Sequence, residues 1–281
     1  MQAEQLGLAG MPVRLFPCTP SKVATYDSCP RRYHLTYLQR PAPPKGGPWA
    51  HNSMGAAVHA ALRQWWDLPR DRRTPESAGR LLDGVWSGEG FRDEEQSKQW
   101  RERAREWVEG YVATLDPDTE PIGLERNVAA TTTRLAVSGR ADRIDERDGE
   151  LVIVDYKTGR RPLTENDARS SQAMAFYVLG ARRTLRRPCR RVELHHLPTG
   201  RVLAWEHDEE SLQRQVTRAE HTADDIVMAT DTLEAGAAVD DVFPPAPGPQ
   251  CGWCDLRRHC AEGQRATVPL EPWSGLADLA D

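Results

Sequence analysis

The 281-residue sequence contains no apolar run of about 18 residues, the length that a membrane-spanning helix requires. Its first twenty residues lack a basic start followed by a continuous apolar stretch, so we predict no secretory signal and expect a cytoplasmic location. A positive net charge is also missing: 37 basic and 42 acidic residues give −5. This balance argues against histone-like binding of nucleic acid, although a local basic groove stays possible.

Cysteine is scarce, with six residues, and in a reducing compartment clustered thiols indicate a metal site rather than a disulfide framework. Three of them form Cys251-x2-Cys254-x5-Cys260 after a rigid proline-rich stretch at 243–249, and Cys29 lies near the other end of the chain. Four thiolates suit either tetrahedral Zn²⁺ or a 4Fe–4S cluster. Two cysteines without a partner at motif spacing are predicted to be small buried or surface thiols: Cys18 and Cys189.

Hydrophobic periodicity predicts an α/β protein in which helices surround a sheet. Helices are predicted over 19–40, 52–67, 165–187 and 208–235, and strands within 122–156, 190–197 and 200–206. Residues 70–118 are highly charged, with aromatic residues at helical spacing, and are interpreted as a helical insertion. We divide the chain into a helical region (19–118), a core (119–240) and a C-terminal cysteine segment (241–265).

The segment most informative about function joins GRADRID (139–145) to VIVDYKTG (152–159) through a hairpin turn. Asp142 ends one predicted strand, and Asp155 and Lys157 share a face of the next because strand side chains alternate. Two carboxylates and the Tyr156 carbonyl are hard oxygen ligands that suit Mg²⁺ or Mn²⁺, and a lysine can orient water or stabilise a phosphate. The alternative is a salt-bridged surface hairpin. The preceding apolar run instead favours the rim of a buried strand, where sites occur.

This pattern resembles the PD-(D/E)xK nuclease superfamily, in particular its RecB-like exonuclease branch. Three further features follow in the same order: Gly55-x-x-x-His59, Gln172 with aromatic residues after it, and the cysteine pattern. Together the motifs span 29–260. The resemblance implies a restriction-endonuclease-like α/β fold, with a central mixed sheet flanked by helices, a helical insertion and an iron–sulfur staple joining the two ends of the chain.

The resemblance also implies roles for individual residues. The metal ligands would be His59, Asp142, Asp155 and the Tyr156 carbonyl, with Glu125 acting through water. Lys157 would be the catalytic lysine, and Gln172 would contact the DNA backbone near the scissile phosphate. The tyrosine of the family motif falls four residues after the glutamine, where this chain has Phe176, so we interpret the following Tyr177 as a core residue. Asp145 is expected to pair with an arginine such as Arg143.

The distant first cysteine and the five-residue last gap resemble the iron–sulfur staple of RecB-like and CRISPR adaptation nucleases. This resemblance implies a 4Fe–4S cluster held by four thiolates: Cys29, Cys251, Cys254 and Cys260. The predicted activity is exonuclease action on single-stranded DNA ends in repair or recombination, with a helicase or CRISPR adaptation proteins as candidate partners. Three alternatives stay open: a CRISPR adaptation nuclease, a non-catalytic iron–sulfur DNA-binding subunit of a helicase–nuclease complex, and a zinc protein with an incidental D-x-K.

Two further sets of residues have either a substrate-binding or a structural interpretation. Trp65, Trp66 and Trp100 could stack on bases, but their spacing favours the core. Four arginine pairs could line a strand channel or lie on solvated surface: 31–32, 182–183, 186–187 and 190–191.

Overall fold

The computed structural model describes residues 15–276. Residues 1–14, which make up most of the stretch behind the signal-sequence prediction, lie outside the described residues, as do 277–281. The strands are β1 (Phe16–Cys18), β2 (Gly123–Thr131), β3 (Leu135–Arg147), β4 (Glu150–Lys157), β5 (Cys189–His196) and β6 (Arg201–Glu206). The helices are α1 (Pro20–Ser28), α2 (Pro30–Tyr33), α3 (Ala50–Trp66), α4 (Pro75–Val85), α5 (Glu94–Val112), α6 (Glu165–Ser170), α7 (Gln172–Leu185), α8 (Glu209–Glu234), α9 (Val239–Val242) and α10 (Ala261–Ala266).

The six strands form one mixed sheet in the order β1-β3-β4-β5-β6, with β2 on the other edge of the long strand β3. β2–β3, β3–β4 and β5–β6 pair antiparallel, whereas β1–β3 and β4–β5 pair parallel. The parallel pair β4–β5 is connected through α6 and α7, as a crossover between parallel strands requires. A central mixed sheet flanked by helices is the fold class that the sequence predicted.

The two faces of β4 bury different helices because its side chains alternate. Val152, Val154 and Tyr156 face α3, α4 and α5, whereas Leu151 and Ile153 face α7. Residues 75–112 thus supply two helices, α4 and α5, of the layer that covers one face of the sheet. The interpretation of three tryptophans as core is confirmed, since Trp65, Trp66 and Trp100 are at most 4% exposed. None of the helices within 15–276 combines the length and apolarity that a bilayer crossing requires.

The single helix predicted over 19–40 is wrong, because the chain leaves the helix at Cys29. That residue is extended, with φ −167° and ψ 109°, since the following Pro30 disfavours helical backbone before it. A short helix and a π-helical turn continue to Leu38. The predicted helix over 165–187 is likewise two helices, because Ser171 is extended and its side chain caps α7. The three-residue strand β1 was not predicted.

Candidate active site

Two aspartates lie where β3 and β4 separate. The antiparallel register ends with Arg143 opposite Val154, so Asp142 and Asp155 follow immediately beyond the last paired residues. The Asp142 side chain replaces the missing ladder bond: its Oδ2 accepts a hydrogen bond from the Tyr156 backbone N–H at 2.8 Å. This bond fixes the Asp142 carboxylate against the end of the central strand.

His59 reaches the same place from α3. Its Nε2 lies 3.1 Å from the Tyr156 carbonyl oxygen. Its Nδ1 lies 3.4 Å from Asp142 Oδ1. One helical turn earlier, a Cβ on Gly55 would lie only 3.2 Å from Thr158 Oγ1, so the glycine allows the end of β4 to approach the helix closely. The Gly55-x-x-x-His59 pattern is therefore explained by one helix face that must both approach the strand and present an imidazole.

Glu125 completes this group from β2. It has φ +46°, a backbone conformation that is uncommon for a residue with a side chain and that costs about 1–3 kcal/mol. Its Oε1 lies 4.0 Å from His59 Nδ1, and its Oε2 pairs with Arg140 Nε at 2.8 Å. The sequence predicted contact with metal only through water; the structure places the carboxylate directly among the candidate ligands.

These three side chains are suitable ligands for a divalent metal ion. His59, Glu125 and Asp142 each offer a ligand atom, and these atoms all lie within 4.8 Å of one another. Two carboxylates and an imidazole suit Mg²⁺ or Mn²⁺. Burial lowers the pKa of His59, but the Asp142 hydrogen bond and the surrounding carboxylates raise it above its usual value. The site is therefore electronegative and attracts either a proton or a cation.

Asp155 and Lys157 form a contact pair beside this group. Lys157 Nζ lies 2.6 Å from Asp155 Oδ2. Asp155 is 8% exposed, whereas the Lys157 side chain is 42% exposed and faces the cleft. Burial raises the pKa of Asp155 against the opposing Lys157 charge, and the neighbouring Asp142 carboxylate raises it further. A cation bound nearby would favour the ionised carboxylate.

A cavity of about 820 Å³ lies above the candidate ligands. His59 and Glu125 line its floor together with the end of β4. Basic residues contribute to its walls: Arg63, Arg140, Lys157 and Arg160. An acidic floor with basic walls suits a substrate that brings negatively charged phosphates to a metal site.

Gln172 and Tyr177 both lie on α7. Tyr177 packs on the backbone of β3, where a Cβ on Gly139 would lie 2.4 Å from its ring. Burial, and then the Asp155 and Asp142 carboxylates, raise the pKa of Tyr177 to about 12, and the ring is partly buried against the core on the α7 side of the sheet, in agreement with its interpretation as a core residue. Phe176 instead packs in a separate core. Gln172 is 8% exposed, and its Nε2 donates to the Gln215 carbonyl at 3.4 Å, outside the cavity lining.

A buried polar network contacts the Tyr156 side chain, and the Asp145–Arg143 pair is the part of it that the sequence predicted. Arg143 Nη1 contacts the hydroxyl groups of Tyr156 at 3.3 Å and Tyr111 at 3.1 Å. Asp145 pairs with Arg143 at 2.9 Å, as predicted. His195 connects the Tyr111 hydroxyl to Glu193. The backbone N–H of Tyr156 contacts Asp142 and its carbonyl oxygen contacts His59. By fixing the Tyr156 side chain, the network therefore also holds the backbone to which these two site residues bind.

The four motif cysteines line a second, smaller cavity between the two ends of the fold. Cys29 Sγ accepts a hydrogen bond from the Ala246 N–H at 3.4 Å, and Cys260 Sγ accepts one from the Gly263 N–H at 3.3 Å. Among the described residues, no three cysteine sulfurs lie within 4.8 Å of one another. The two remaining cysteines are buried thiols, as predicted, and burial raises the pKa of Cys18 to about 11 and that of Cys189 to about 12.

The predicted arginine pairs largely contact carboxylates of the protein itself. Arg32 pairs with Asp255 at 2.9 Å, Arg182 with Glu209 at 2.6 Å and Arg190 with Glu150 at 3.0 Å. Arg31 contacts Asp240, and Arg187 contacts Glu146. The structural interpretation therefore holds for these arginines, and the basic residues that face the cavity are others.

The mixed sheet, the acidic group at the end of its central strand and the adjacent lysine define a metal-dependent nuclease. A family model described as the PD-(D/E)XK nuclease superfamily matches residues 17–261. The chain belongs to the PD-(D/E)XK nuclease superfamily. Among solved structures it is similar to a crystal structure from Eubacterium rectale described as a candidate exonuclease, with a TM-score of 0.49, 12% identity, and coverage of 86% of this chain and 87% of that chain. A comparison with curated proteins gives no match.

Proposed function

We propose that this protein is a RecB-like exonuclease that hydrolyses single-stranded DNA from an end in the presence of Mg²⁺ or Mn²⁺. The observation that carries the proposal is the convergence of His59, Glu125 and Asp142 next to the Asp155–Lys157 pair, at the floor of a cleft with basic walls. Helicase or CRISPR adaptation proteins as partners, and a role in repair or recombination, stay predictions from the sequence.

The candidate residues divide the chemistry among them. His59, Glu125, Asp142 and Asp155 would hold the divalent ion with the Tyr156 carbonyl, and the bound ion would supply an activated water and charge stabilisation at the phosphate. Lys157 is placed to orient the attacking water or to stabilise negative charge on the phosphate oxygens. Arg140 and Arg160 would hold the flanking phosphates.

Cleavage of end-labelled oligonucleotides tests this proposal. Single-stranded DNA, duplex DNA and single-stranded RNA are incubated with the protein and Mn²⁺ or Mg²⁺, with EDTA as the control. We expect progressive shortening of single-stranded DNA, with a ladder that reveals the polarity. Cleavage of closed circular single-stranded DNA at the same rate as linear DNA would instead indicate an endonuclease, because a circle has no end. No cleavage of any substrate by folded, metal-loaded protein would contradict nuclease activity of the isolated chain.

We also infer that the four cysteines hold a 4Fe–4S cluster that connects the ends of the fold. A tetrahedral zinc site with Zn–S bonds of about 2.3 Å places its four sulfurs about 3.8 Å apart, whereas among the described residues no three cysteine sulfurs lie within 4.8 Å of one another. The wider spacing favours a larger group in the cavity. The backbone N–H groups of Ala246 and Gly263 already donate to two of the sulfurs, as suits thiolate ligands.

Anaerobic purification followed by metal analysis separates the two possibilities. A 4Fe–4S cluster predicts about four irons and four sulfides per chain, with a brown colour that dithionite bleaches. One zinc per chain, without iron or colour, would contradict the cluster and leave the nuclease proposal unaffected.

A further inference from the structure

One aromatic residue that lines the cleft, Trp253, belongs to the cysteine segment and not to the nuclease core. Trp253, between Cys251 and Cys254, lines the same cavity as His59 and Lys157. Its ring centroid lies 5.0 Å from that of Trp49 and 5.7 Å from that of His51. Trp253 is 38% exposed, in contrast to the buried tryptophans under the sheet. Trp253 therefore packs on two aromatic neighbours and still presents part of a large apolar ring to a polar cleft.

The surroundings of Trp253 hold its ring in place without covering it. His51 is partly buried, and its ring packs edge-on against the indole. Burial lowers the pKa of His51, so it supports the indole as a neutral ring. The segment before Trp253 is short 3₁₀ helix, held by a backbone hydrogen bond from Cys251 to Gly248. A fixed aromatic ring with support on one side is an efficient stacking surface, because little conformational freedom is lost on binding.

The distance from this aromatic group to the candidate ligands suits a short run of nucleotides. His51 and His59 are eight residues apart on α3, or about 12 Å along the helix axis. At a stacked rise of about 3.4 Å per nucleotide, this length holds on the order of three nucleotides. Arg63 and Arg140 are exposed on the walls of the same cavity. Phosphates can therefore follow the basic walls while a base reaches the ring.

We propose that Trp253 is a base-stacking residue that positions single-stranded DNA a few nucleotides from the scissile phosphate. The inference rests on the proposed function, because it assumes that the cleft takes a nucleic-acid strand. It makes Trp253 a positioning residue and not a catalytic one. The cysteine segment would then contribute directly to substrate binding.

Binding measurements in the Lys157→Ala background test this role without cleavage. Trp253→Ala should weaken binding of a fluorescent single-stranded oligonucleotide about 5- to 150-fold, and Trp253→Phe should recover part of the loss. Trp205→Ala is the matched control: this partly exposed tryptophan lies on β6, outside the cleft, and should bind as the parent does.

Oligonucleotides with a single abasic site distinguish stacking from a structural effect. In the parent protein, an abasic site at one position near the cleaved bond should weaken binding, whereas in Trp253→Ala the same abasic site should cost nothing further. Equal losses of affinity in both proteins at every abasic position, or unchanged binding by Trp253→Ala, would overturn the stacking role of Trp253. If wild type still cleaved DNA in that case, the proposed nuclease activity would be unaffected. If wild type neither bound nor cleaved single-stranded DNA, the proposed function itself would fail. Should Trp253→Ala lose iron or fold poorly, Trp253→Phe and the abasic series on the parent decide the question.

Discussion

At the scale of single residues, the candidate site is a group of charges that the fold holds closer than they would lie in water. His59 is surrounded by Glu125, Asp142 and Asp155, and their attraction for a proton outweighs the effect of burial on its pKa. An imidazole must lose its proton to bind a metal ion. A proton and a divalent cation therefore compete for the same pocket.

This competition predicts a pH-dependent metal affinity. The pKa of His59 is raised above its usual value of about 6.5, so protonated His59 persists to a higher pH than usual. Mn²⁺ affinity should therefore fall as the pH decreases through this raised pKa, by up to about tenfold per pH unit. Calorimetric titration between pH 6 and pH 9 measures this. His59→Ala should bind more weakly and lose this pH dependence. His221→Ala, which removes an exposed histidine on α8, should keep the wild-type profile.

The sequence predicts which site side chains lie together where the residues are close neighbours along the chain. Strand alternation places Asp155 and Lys157 on one face, and the structure has them in contact at 2.6 Å. The approach of His59 and Glu125 to Asp142 depends on three separate elements, so it followed only from resemblance to a family or not at all. Phe176 takes the motif position and Tyr177 the next one, and because a change of one residue moves a helical side chain by about 100°, the two rings pack against different cores.

At the scale of elements, β4 depends on a buried polar network that no periodicity indicates. Glu193 on β5 is 3% exposed and pairs with Arg147 at 2.7 Å, Arg191 at 2.8 Å and His195 at 2.9 Å. Burial raises the pKa of Glu193, but hydrogen bonds from His195, Arg147 and Arg191 outweigh it and hold the pKa far below its usual range. The carboxylate therefore stabilises the fold above the unfolded-state pKa of about 4.3, and this stabilisation decreases as the pH falls below that value.

Glu193→Gln tests this contribution to stability. It should lower the free energy of unfolding by about 2 kcal/mol at pH 7.5, a moderate value because Arg147 and Arg191 are partly exposed to solvent. The difference from wild type should shrink as the pH falls below about 4.3. Urea unfolding at each pH measures it. Glu206→Gln, on the neighbouring strand and 61% exposed, should cost less than about 0.5 kcal/mol. Equal costs for the two variants would contradict the network.

Most elements could be predicted from the sequence because their patterns are local. The hairpin at Asp148-Gly149 and the helices at 52–67 and 208–235 agree with the structure within two residues at each end. The break at Cys29 was missed because a helical pattern of side chains continues on both sides of it. β1 has three residues, too few for a periodicity, and forms only by pairing with β3.

At the scale of the whole molecule, a segment near the start of the described residues and one near their end meet at the four cysteines. Cys29 follows α1, and its partners lie beyond α9, so a group held there would connect segments more than 200 residues apart. The same C-terminal segment carries Trp253 into the cleft. Loss of the connection should therefore affect both stability and substrate binding.

Cys29→Ala tests this connection. The variant should retain less than about one iron per chain, because a thiolate ligand is lost, and trypsin should cleave the arginine-rich segment after Cys254 more rapidly. Iron analysis and timed proteolysis measure both effects. Cys189→Ala, which removes a buried thiol outside the motif, should keep its iron and its resistance. Full iron content in Cys29→Ala would contradict the assignment of this ligand.

Single-turnover cleavage of end-labelled single-stranded DNA with Mn²⁺ measures whether the charged group at the end of β4 hydrolyses phosphodiesters. Wild type is compared with Lys157→Ala and with Lys98→Ala, which removes an exposed lysine on α5 outside the cavity lining. We expect Lys157→Ala to lower the cleavage rate by at least about 100-fold while Mn²⁺ still binds, and Lys98→Ala to cleave like wild type. Equal rates for all three proteins would contradict this expectation.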